Sequence, residues 1–274
     1  YMQIMGLITA LPGAAAQGLI WGIMAIGVYI TFRILDIADL TVDGTLCTGG
    51  AVCIMMMLSG HNVWMSMLAA TGAGLLAGLA TGIFHTFMGI PAILAGILTQ
   101  LSLYSVNLKI MGKANQAINV DKYNLLVSLR RVKGVTLTQN TLFIVAIMIL
   151  LLIAVLYWFF GTELGCSLRA TGCNPSMSRA QGINTDFNKV LGLMLSNGLV
   201  ALSGALLTQY QGFADINMGR GSIVIGLAAV IIGEAIFSRI FRNFALKLLS
   251  VVFGSILYYL VLQVVIWMGI DTDL

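Results

Sequence analysis

Three aspartates fall close together where a long apolar run is interrupted. Asp36, Asp39 and Asp43 occur in the sequence RILDIADLTVDGT. Carboxylates at this spacing have the chemistry to bind a cation or carry a proton, and a charge at membrane depth is costly enough that function is its default interpretation. Aspartates that precede a helix can instead accept hydrogen bonds from its first N–H groups. The sequence favours this capping role over a cation site.

Glu234 is a further acidic residue in apolar surroundings, within the segment AAVIIGEAIF. A carboxylate in such a segment can serve a transport pathway as a cation or proton site. The alternative is that Glu234 lies near the cytoplasmic end of its helix and forms an ion pair with Arg239 or Arg242. The sequence slightly favours the ion pair.

A polar stretch from Leu164 to Asn188 separates two long apolar runs. Asn174 followed by Pro175 is typical of a helix start, and Gly182 stands where a C-terminal glycine ends a helix. The sequence therefore predicts a short helix from Ser176 to Ala180. We interpret this stretch as a surface shown to a cytoplasmic partner, since it is mildly basic, as cytoplasmic loops tend to be.

The longest polar link runs from Gly112 to Gln139, and it is predicted to contain an amphipathic helix with Arg130, Arg131 and Lys133 on its basic face. Such a helix either lies on lipid headgroups or docks another protein. Alternation of the spans places this link outside the cell, against the positive-inside rule. Docking of an acidic extracytoplasmic partner would account for that placement.

Polar side chains also recur inside two predicted spans, and they are candidates for the lining of a pathway. These residues are Gln100, Ser102, Ser105, Asn107, Asn197 and Ser203.

Several other chemistries are excluded by the sequence. It contains no GxxxxGK[ST] phosphate loop, no HExxH and no GxSxG, so this chain does not bind ATP through a P-loop. The two histidines are isolated, and the four cysteines are interpreted as reduced thiols. We predict no metal site, no cofactor and no enzymatic activity in this chain. The basic residues are scattered among loops, which gives no indication of nucleic-acid binding.

The composition is that of a membrane protein. Of 274 residues, 59% are hydrophobic and only 9% are charged, whereas a soluble domain carries roughly a quarter charged residues. Apolar runs of about 20 residues predict spanning helices. The fold class is an all-α polytopic membrane protein, with one domain over residues 1–274 and about eight membrane segments. Two short segments, Leu40–Leu58 and Ile223–Phe237, predict broken or re-entrant helices that line a pathway.

Four stretches together resemble a known family, the permease subunits of bacterial ATP-binding-cassette (ABC) importers related to branched-chain amino acid and ribose permeases. The stretches are GVYITFRILDIADLTVDGT (Gly27–Thr45), IPAILAGILTQLSLYSVNLKIMGKAN (Ile90–Asn115), LGCSLRATGCNPSMSRAQGIN (Leu164–Asn184) and IIGEAIF (Ile231–Phe237). The most similar subgroup is the tryptophan/tyrosine transport permeases. The resemblance covers nearly the whole chain, and the DLTVDG and RATGxNPxxxRAxGI patterns are specific in combination.

This resemblance implies that two copies of the permease, expected to be a homodimer, form the path in the bacterial cytoplasmic membrane. It further implies separate ATPase subunits that bind ATP and Mg²⁺, and an extracytoplasmic binding protein. From the charge of the basic link at about residues 112–139, we predict that this link docks the binding protein. The loop at about residues 161–189 would couple to the ATPase, and Arg169, Asn174, Pro175, Arg179 and Gly182 match the family pattern. Family members also carry one more hydrophobic span after the position of Asp273.

Two other functions stay open at the level of sequence. An autonomous secondary transporter or channel would use Glu234 and the aspartate cluster as cation or proton sites, and a membrane scaffold would have no pathway. The leading hypothesis is an importer subunit for a small polar solute, an aromatic or other amino acid being suggested by the subgroup name alone.

Overall fold

The computed structural model describes residues 2–120, 122–123, 125–132, 140–237 and 241–268, with side chains described from Ala10 onward. The described elements are, in order, α1 (Met2–Tyr29) continued by a π-helical turn (Ile30–Ile34), α2 (Val42–Leu58), α3 (Val63–Thr86), α4 (Ala92–Met111), β1 (Asn115–Ala117), a 3₁₀ turn (Leu129–Val132), α5 (Thr141–Gly161), α6 (Glu163–Cys173), α7 (Pro175–Ala180), α8 (Thr185–Gln211), β2 (Phe213–Asp215), α9 (Ser222–Phe237) and α10 (Phe244–Trp267).

Six helices in the described part of the chain are long and apolar enough to cross a membrane, and α2 and α9 are shorter apolar helices. The six are α1, α3, α4, α5, α8 and α10. The prediction of a mostly helical, multi-pass protein is confirmed. The count of eight membrane segments and the further span after Asp273 stay predictions, since residues 269–274 lie outside the described part of the chain.

The spans of α1 and α8 are the most buried in the described bundle, at 78% and 72%, whereas those of α4 and α5 are 22% buried. Close packing on α8 depends on small residues. A side chain at Gly74 or Gly78 of α3 would collide with the carbonyl oxygens of Asn197 and Leu193 on α8. Glycine at these positions lets two backbones approach, as is common in membrane helix pairs. The helix α8 therefore serves as the frame on which the other elements are fixed.

The two short helices begin inside the bundle and run to opposite ends of it. Thr45, in the first turn of α2, donates a hydrogen bond to Asn197 near the middle of α8, and α2 continues to where Cys53 meets Gln209, near the end of α8. The helix α9 begins beside Asp43 of α2 and runs the other way, to where Glu234 meets Arg33. They are the short segments predicted to be broken or re-entrant.

At one end of the bundle, β1 and β2 form an antiparallel ribbon with Gln116 opposite Ala214. We refer to this end as the ribbon end, and to the opposite end, which carries α6 and α7, as the α7 end. The ribbon was not predicted, because two three-residue strands give too little alternation to be recognised.

The prediction of an amphipathic helix around Arg130 and Arg131 is wrong for the described residues, which form turns and the 3₁₀ turn Leu129–Val132. A run of Leu, Val and Arg matches a helical period, but here the Arg131 guanidinium donates to the carbonyl of Leu125 at 2.9 Å and holds a compact loop. Lys133 lies outside the described residues.

Candidate functional site

A buried polar network lies where α2 begins. Asp39 is 2% exposed, and its carboxylate accepts hydrogen bonds from the backbone N–H of Thr41 at 2.9 Å and from Nδ2 of Asn197 at 2.7 Å. Asn197 also accepts from the Thr45 hydroxyl at 2.7 Å. Buried carboxylates are costly unless they are hydrogen-bonded, so these contacts bind the start of α2 firmly to the middle of α8.

The network extends to α3 and α4 through hydroxyl groups. The Thr41 and Thr81 hydroxyls are 2.7 Å apart, and Thr81 donates to Thr99 at 2.9 Å. All three side chains are buried. Four helices therefore meet at one polar centre, which is a way of fixing their relative positions in an otherwise apolar bundle.

Asp43 connects the two short helices. Its Oδ1 accepts from the Ser222 hydroxyl at 2.9 Å and from the Ile223 N–H at 3.0 Å, and its Oδ2 accepts from the Gly221 N–H at 3.1 Å. Asp43 was predicted to cap the helix that follows it in the chain. It caps α9 instead, about 180 residues later, where a carboxylate compensates the positive N-terminal end of a helix.

A cavity of about 390 Å³ opens at this junction, between α2, α4 and the turn that precedes α9. Its polar lining comprises Asp43, Cys47, Gln100, Tyr104, Asn107 and Arg220. Asn107 is 1% exposed; its Nδ2 donates to the Gly44 carbonyl at 3.4 Å, while its Oδ1 has no hydrogen-bond partner among the described residues. The cavity thus presents a cation, a carboxylate and amide groups inside the bundle.

The structure separates the predicted pathway residues. Gln100 and Asn107 line the cavity. Ser102 and Ser105 lie on the exposed side of α4, Asn197 belongs to the Asp39 network, and Ser203 is buried with its hydroxyl donating to the Ile20 carbonyl at 2.8 Å.

The predicted acidic cluster is also dispersed. Asp36 is exposed and has a positive φ of 54°, while Asp39 and Asp43 point into different networks. Glu234 forms an ion pair with Arg33 at 3.0 Å. The sequence had predicted Arg239 or Arg242 as its partner. Arg242 makes no such contact in the described structure, and Arg239 lies outside the described residues. Among the described residues, no group of three or more His, Cys, Asp or Glu side chains is placed to hold a metal ion.

The short helix α7 stands at the other end of α8, and its predicted boundaries are confirmed. Asn174 accepts from the N–H of Met177 at 3.0 Å, Pro175 is the first residue of the helix, and Gly182 follows it with φ of +81°. Most of α7 is exposed, and Met177 is 63% exposed at its surface. A large apolar side chain held outward on a short, capped helix is suited to enter a pocket on another protein.

The preceding helix α6 was missed by the sequence analysis and is the support of α7. Arg169 donates to the Phe160 carbonyl at the end of α5 at 2.7 Å, and its guanidinium lies 5.9 Å from the centre of the Phe244 ring on α10. Thr162 caps α6 by accepting from the Gly165 N–H at 3.4 Å. A Thr-x-x-Gly sequence after an apolar run is too common to have identified this helix start.

Two further contacts fix α6 and α7 to the bundle. Buried Asn188 of α8 donates to the Thr171 hydroxyl of α6 at 2.9 Å. Arg179 of α7 donates to the Thr185 hydroxyl at 2.7 Å and to the Asp186 carboxylate at 3.1 Å, at the start of α8. Arg169 and Arg179 therefore hold α6 and α7 in position, and we refer to these two helices together as the lever.

Comparison with known proteins shows the family of this chain. The sequence profile of the family "Branched-chain amino acid transport system / permease component" matches residues 11–274. The chain is 38% identical over 259 residues to the tyrosine transport system permease protein of Clostridioides difficile, covering 94% of this chain and 84% of the relative. It is 39% identical over 269 residues to the uncharacterized protein RP368 of Rickettsia prowazekii, covering 97% and 90% of the two chains.

Among solved structures, PsaBC from Streptococcus pneumoniae in complex with Fab matches with a TM-score of 0.47 and 19% identity, over 95% of both chains.

The chain belongs to the family of permease components of branched-chain amino acid transport systems. It is an ABC importer permease subunit and a multi-pass protein of the cytoplasmic membrane, as the sequence predicted. The family is one of permeases rather than enzymes.

Proposed function

We propose that this chain forms, with a second copy, the path of an importer whose energy comes from separate ATPase subunits that bind ATP and Mg²⁺. An extracytoplasmic binding protein delivers the solute. The proposed solute is an amino acid, with tyrosine as the first candidate because of the name of the Clostridioides difficile relative. The single observation that supports this proposal most strongly is that one helix, α8, contacts both the lever, through Asn188, and the Asp39 network, through Asn197.

The proposal gives the molecule an orientation. The α7 end faces the cytoplasm and the ATPase, and the ribbon end faces outward, toward the binding protein. Arg130, Arg131 and Lys133 belong to the outward loop, where they are proposed to contact an acidic surface of the binding protein.

The mechanism follows from the contacts of α8. Asn188, which holds the lever, and Asn197, which holds Asp39, are nine residues apart on this helix, or about 13 Å at a rise of 1.5 Å per residue. A helix is stiff over that length, so a movement imposed on the lever is passed to the starts of α2 and α9. Rigid-body motion of this kind is what alternating access requires.

The contacts of the acidic residues favour the importer over an autonomous transporter. An autonomous transporter would use Glu234 and the aspartates as cation or proton sites. Asp39 and Asp43 are each engaged by several hydrogen-bond donors, and Glu234 is in an ion pair at the α7 end.

The test is to purify the full-length protein from its native membrane and identify what remains bound. We expect an ATPase with a P-loop, and ATP-driven uptake when the complex is placed in vesicles with its binding protein. Arg179→Glu should release the ATPase, because a glutamate beside Asp186 repels the start of α8 and displaces α7. The double variant Arg179→Glu/Asp186→Arg restores the opposite charges and should recover much of the association.

Met177→Glu addresses direct contact, since Met177 makes no contribution to the Arg179 pairing. It should weaken ATPase binding without changing the thermal stability of the permease. Recovery of a permease that binds no ATPase, yet moves solute in nucleotide-free vesicles, would overturn the proposal.

A further inference from the structure

We infer that the cavity at the α2–α9 junction is a binding site for the zwitterionic head of an α-amino acid. This inference rests on the proposed import function and adds to it a site, a ligand class and a role for Arg220, which the sequence analysis did not single out.

The first observation is that the side-chain oxygen of Asn107 accepts no hydrogen bond from the described residues. Asn107 is 1% exposed, and its Oδ1 has no hydrogen-bond partner among the described residues. A buried polar atom left unpaired costs roughly 1–3 kcal/mol, so a ligand that supplies an N–H donor here is favoured. An ammonium group supplies up to three such donors.

The second observation concerns the guanidinium of Arg220. Arg220 lines the same cavity, and within the described part of the chain no hydrogen bond or ion pair engages its guanidinium. Arginine presents donors in a fork that matches a carboxylate. A ligand carboxylate is therefore the complementary group.

The third observation is the charge of Asp43. Its two oxygens accept three hydrogen bonds from the start of α9, whereas an ionised carboxylate offers about four acceptor positions. Asp43 lines the cavity, so its carboxylate is close to any ligand bound there. It therefore favours a ligand cation beside Asn107, and it disfavours a ligand that carries only negative charge.

Together these groups favour a ligand that carries a cation able to donate hydrogen bonds and, close to it, an anion able to accept them. A free α-amino acid has both on one carbon, whereas a sugar has neither. The cavity volume of about 390 Å³ lies within the range of about 300–1,000 Å³ common for small-molecule sites. Tyr104, which also lines the cavity, offers a ring face for the ligand side chain.

The test measures ligand protection of a thiol in the assembled complex of permease and ATPase. Leu101 lines the cavity and is 65% exposed, so Leu101→Cys in a Cys47→Ser/Cys166→Ser/Cys173→Ser background serves as the reporter. The probes are L-tyrosine, tyramine, which lacks the carboxylate, and 3-(4-hydroxyphenyl)propionate, which lacks the ammonium group. We expect tyrosine to slow alkylation at least fivefold, and neither analogue to do so at the same concentration.

Two variants assign the ligand groups. Arg220→Gln should raise the tyrosine concentration needed for protection at least tenfold, and Arg220→Lys should restore part of the affinity. Asn107→Leu keeps the side-chain size but removes the acceptor, and should weaken protection severalfold. Lys113→Gln, an exposed charge removal at the ribbon end, is the matched control and should change nothing.

The outcomes separate this inference from the proposed function, because ATP-driven uptake is measured on the same preparations. Equal protection by tyrosine and both analogues, or protection by a neutral sugar alone, overturns the zwitterion site. So does uptake that persists unchanged in Arg220→Gln, and the import function would then still stand. Absence of ATP-driven uptake by the unaltered complex would instead count against the import function itself.

Discussion

A side chain caps a helix both in the lever and at the junction of α2 with α9. The two caps differ greatly in the sequence distance between the capping residue and the helix that it caps. In the lever, Asn174 caps a helix whose accepting N–H belongs to Met177, three residues away. At the junction, Asp43 caps a helix whose N–H belongs to Ile223, 180 residues away. The lever cap is exposed to solvent, whereas Asp43 is partly buried and the Asp39 network beside it is buried. In this protein, therefore, a helix N-cap at the surface is a local contact, whereas the one inside the bundle is a tertiary contact.

The difference in burial predicts a difference in energy. Water can replace a lost partner at the lever, but not in the Asp39 network, whose side chains are buried and bear the full desolvation cost when they are unpaired. Substitutions in that network should therefore be more destabilising than chemically similar substitutions at the lever.

The largest effect is expected for Asn197→Ala. It removes a hydrogen bond to the buried Asp39 side chain and leaves the Thr45 hydroxyl without its Asn197 acceptor, and a buried polar group left unpaired costs about 1–3 kcal/mol. We expect a loss of stability of that size and a loss of uptake, measured by thermal unfolding in detergent and by transport in vesicles. Ser203→Ala on the same helix removes one bond to a neutral carbonyl and is the control. Equal losses in the two variants would contradict the special role of the Asp39 network.

A smaller effect, on the amount of uptake per ATP hydrolysed, is expected for Gly172→Ala in the lever. An added methyl group would collide with the carbonyl oxygen of Ile34 at the end of the π-helical turn, so α6 must shift away from the bundle. Overpacking of this kind typically costs about 1–3 kcal/mol. We expect ATP hydrolysis to continue with reduced uptake per ATP. Gly161→Ala, where an added methyl group meets open space, should leave that ratio unchanged.

Loss of the lever cap should be milder still. Asn174→Ala removes the acceptor of the Met177 N–H, and loss of a helix N-cap costs about 1 kcal/mol. ATPase association should weaken severalfold, as measured by co-purification. Asn174→Asp keeps the acceptor and should retain association; a loss as large as that in the alanine variant would show that Asn174 acts by some means other than capping.

The smallest effect is expected for Glu234→Gln. The ion pair with Arg33 is solvent-accessible, with side chains 57% and 29% exposed, and pairs of this kind contribute about 0–1 kcal/mol. Thermal stability and uptake should remain close to those of the unaltered protein. A large loss of uptake with unchanged stability would return Glu234 to consideration as a pathway residue.

The sequence alone determined what depends on composition and near neighbours. Apolar runs of spanning length defined α3, α4, α5, α8 and α10, because the cost of exposing polar groups to lipid leaves little choice but a helix. Asn174, Pro175 and Gly182 determined α7, since capping and chain reversal involve residues only a few positions apart. The short lengths of α2 and α9 indicated that they do not span the membrane in the ordinary way.

Only the tertiary structure decided which polar residues meet. The sequence placed Asp36, Asp39 and Asp43 in one cluster, but their backbone positions turn the three side chains to solvent, to α8 and to α9. It grouped Asn107 with Asn197, yet one lines the cavity and the other binds Asp39. Arg220 gave no signal, because its placement beside Asp43 depends on a turn that enters the bundle after β2. Contacts between residues about 180 positions apart follow from packing, which the local pattern of a sequence does not encode.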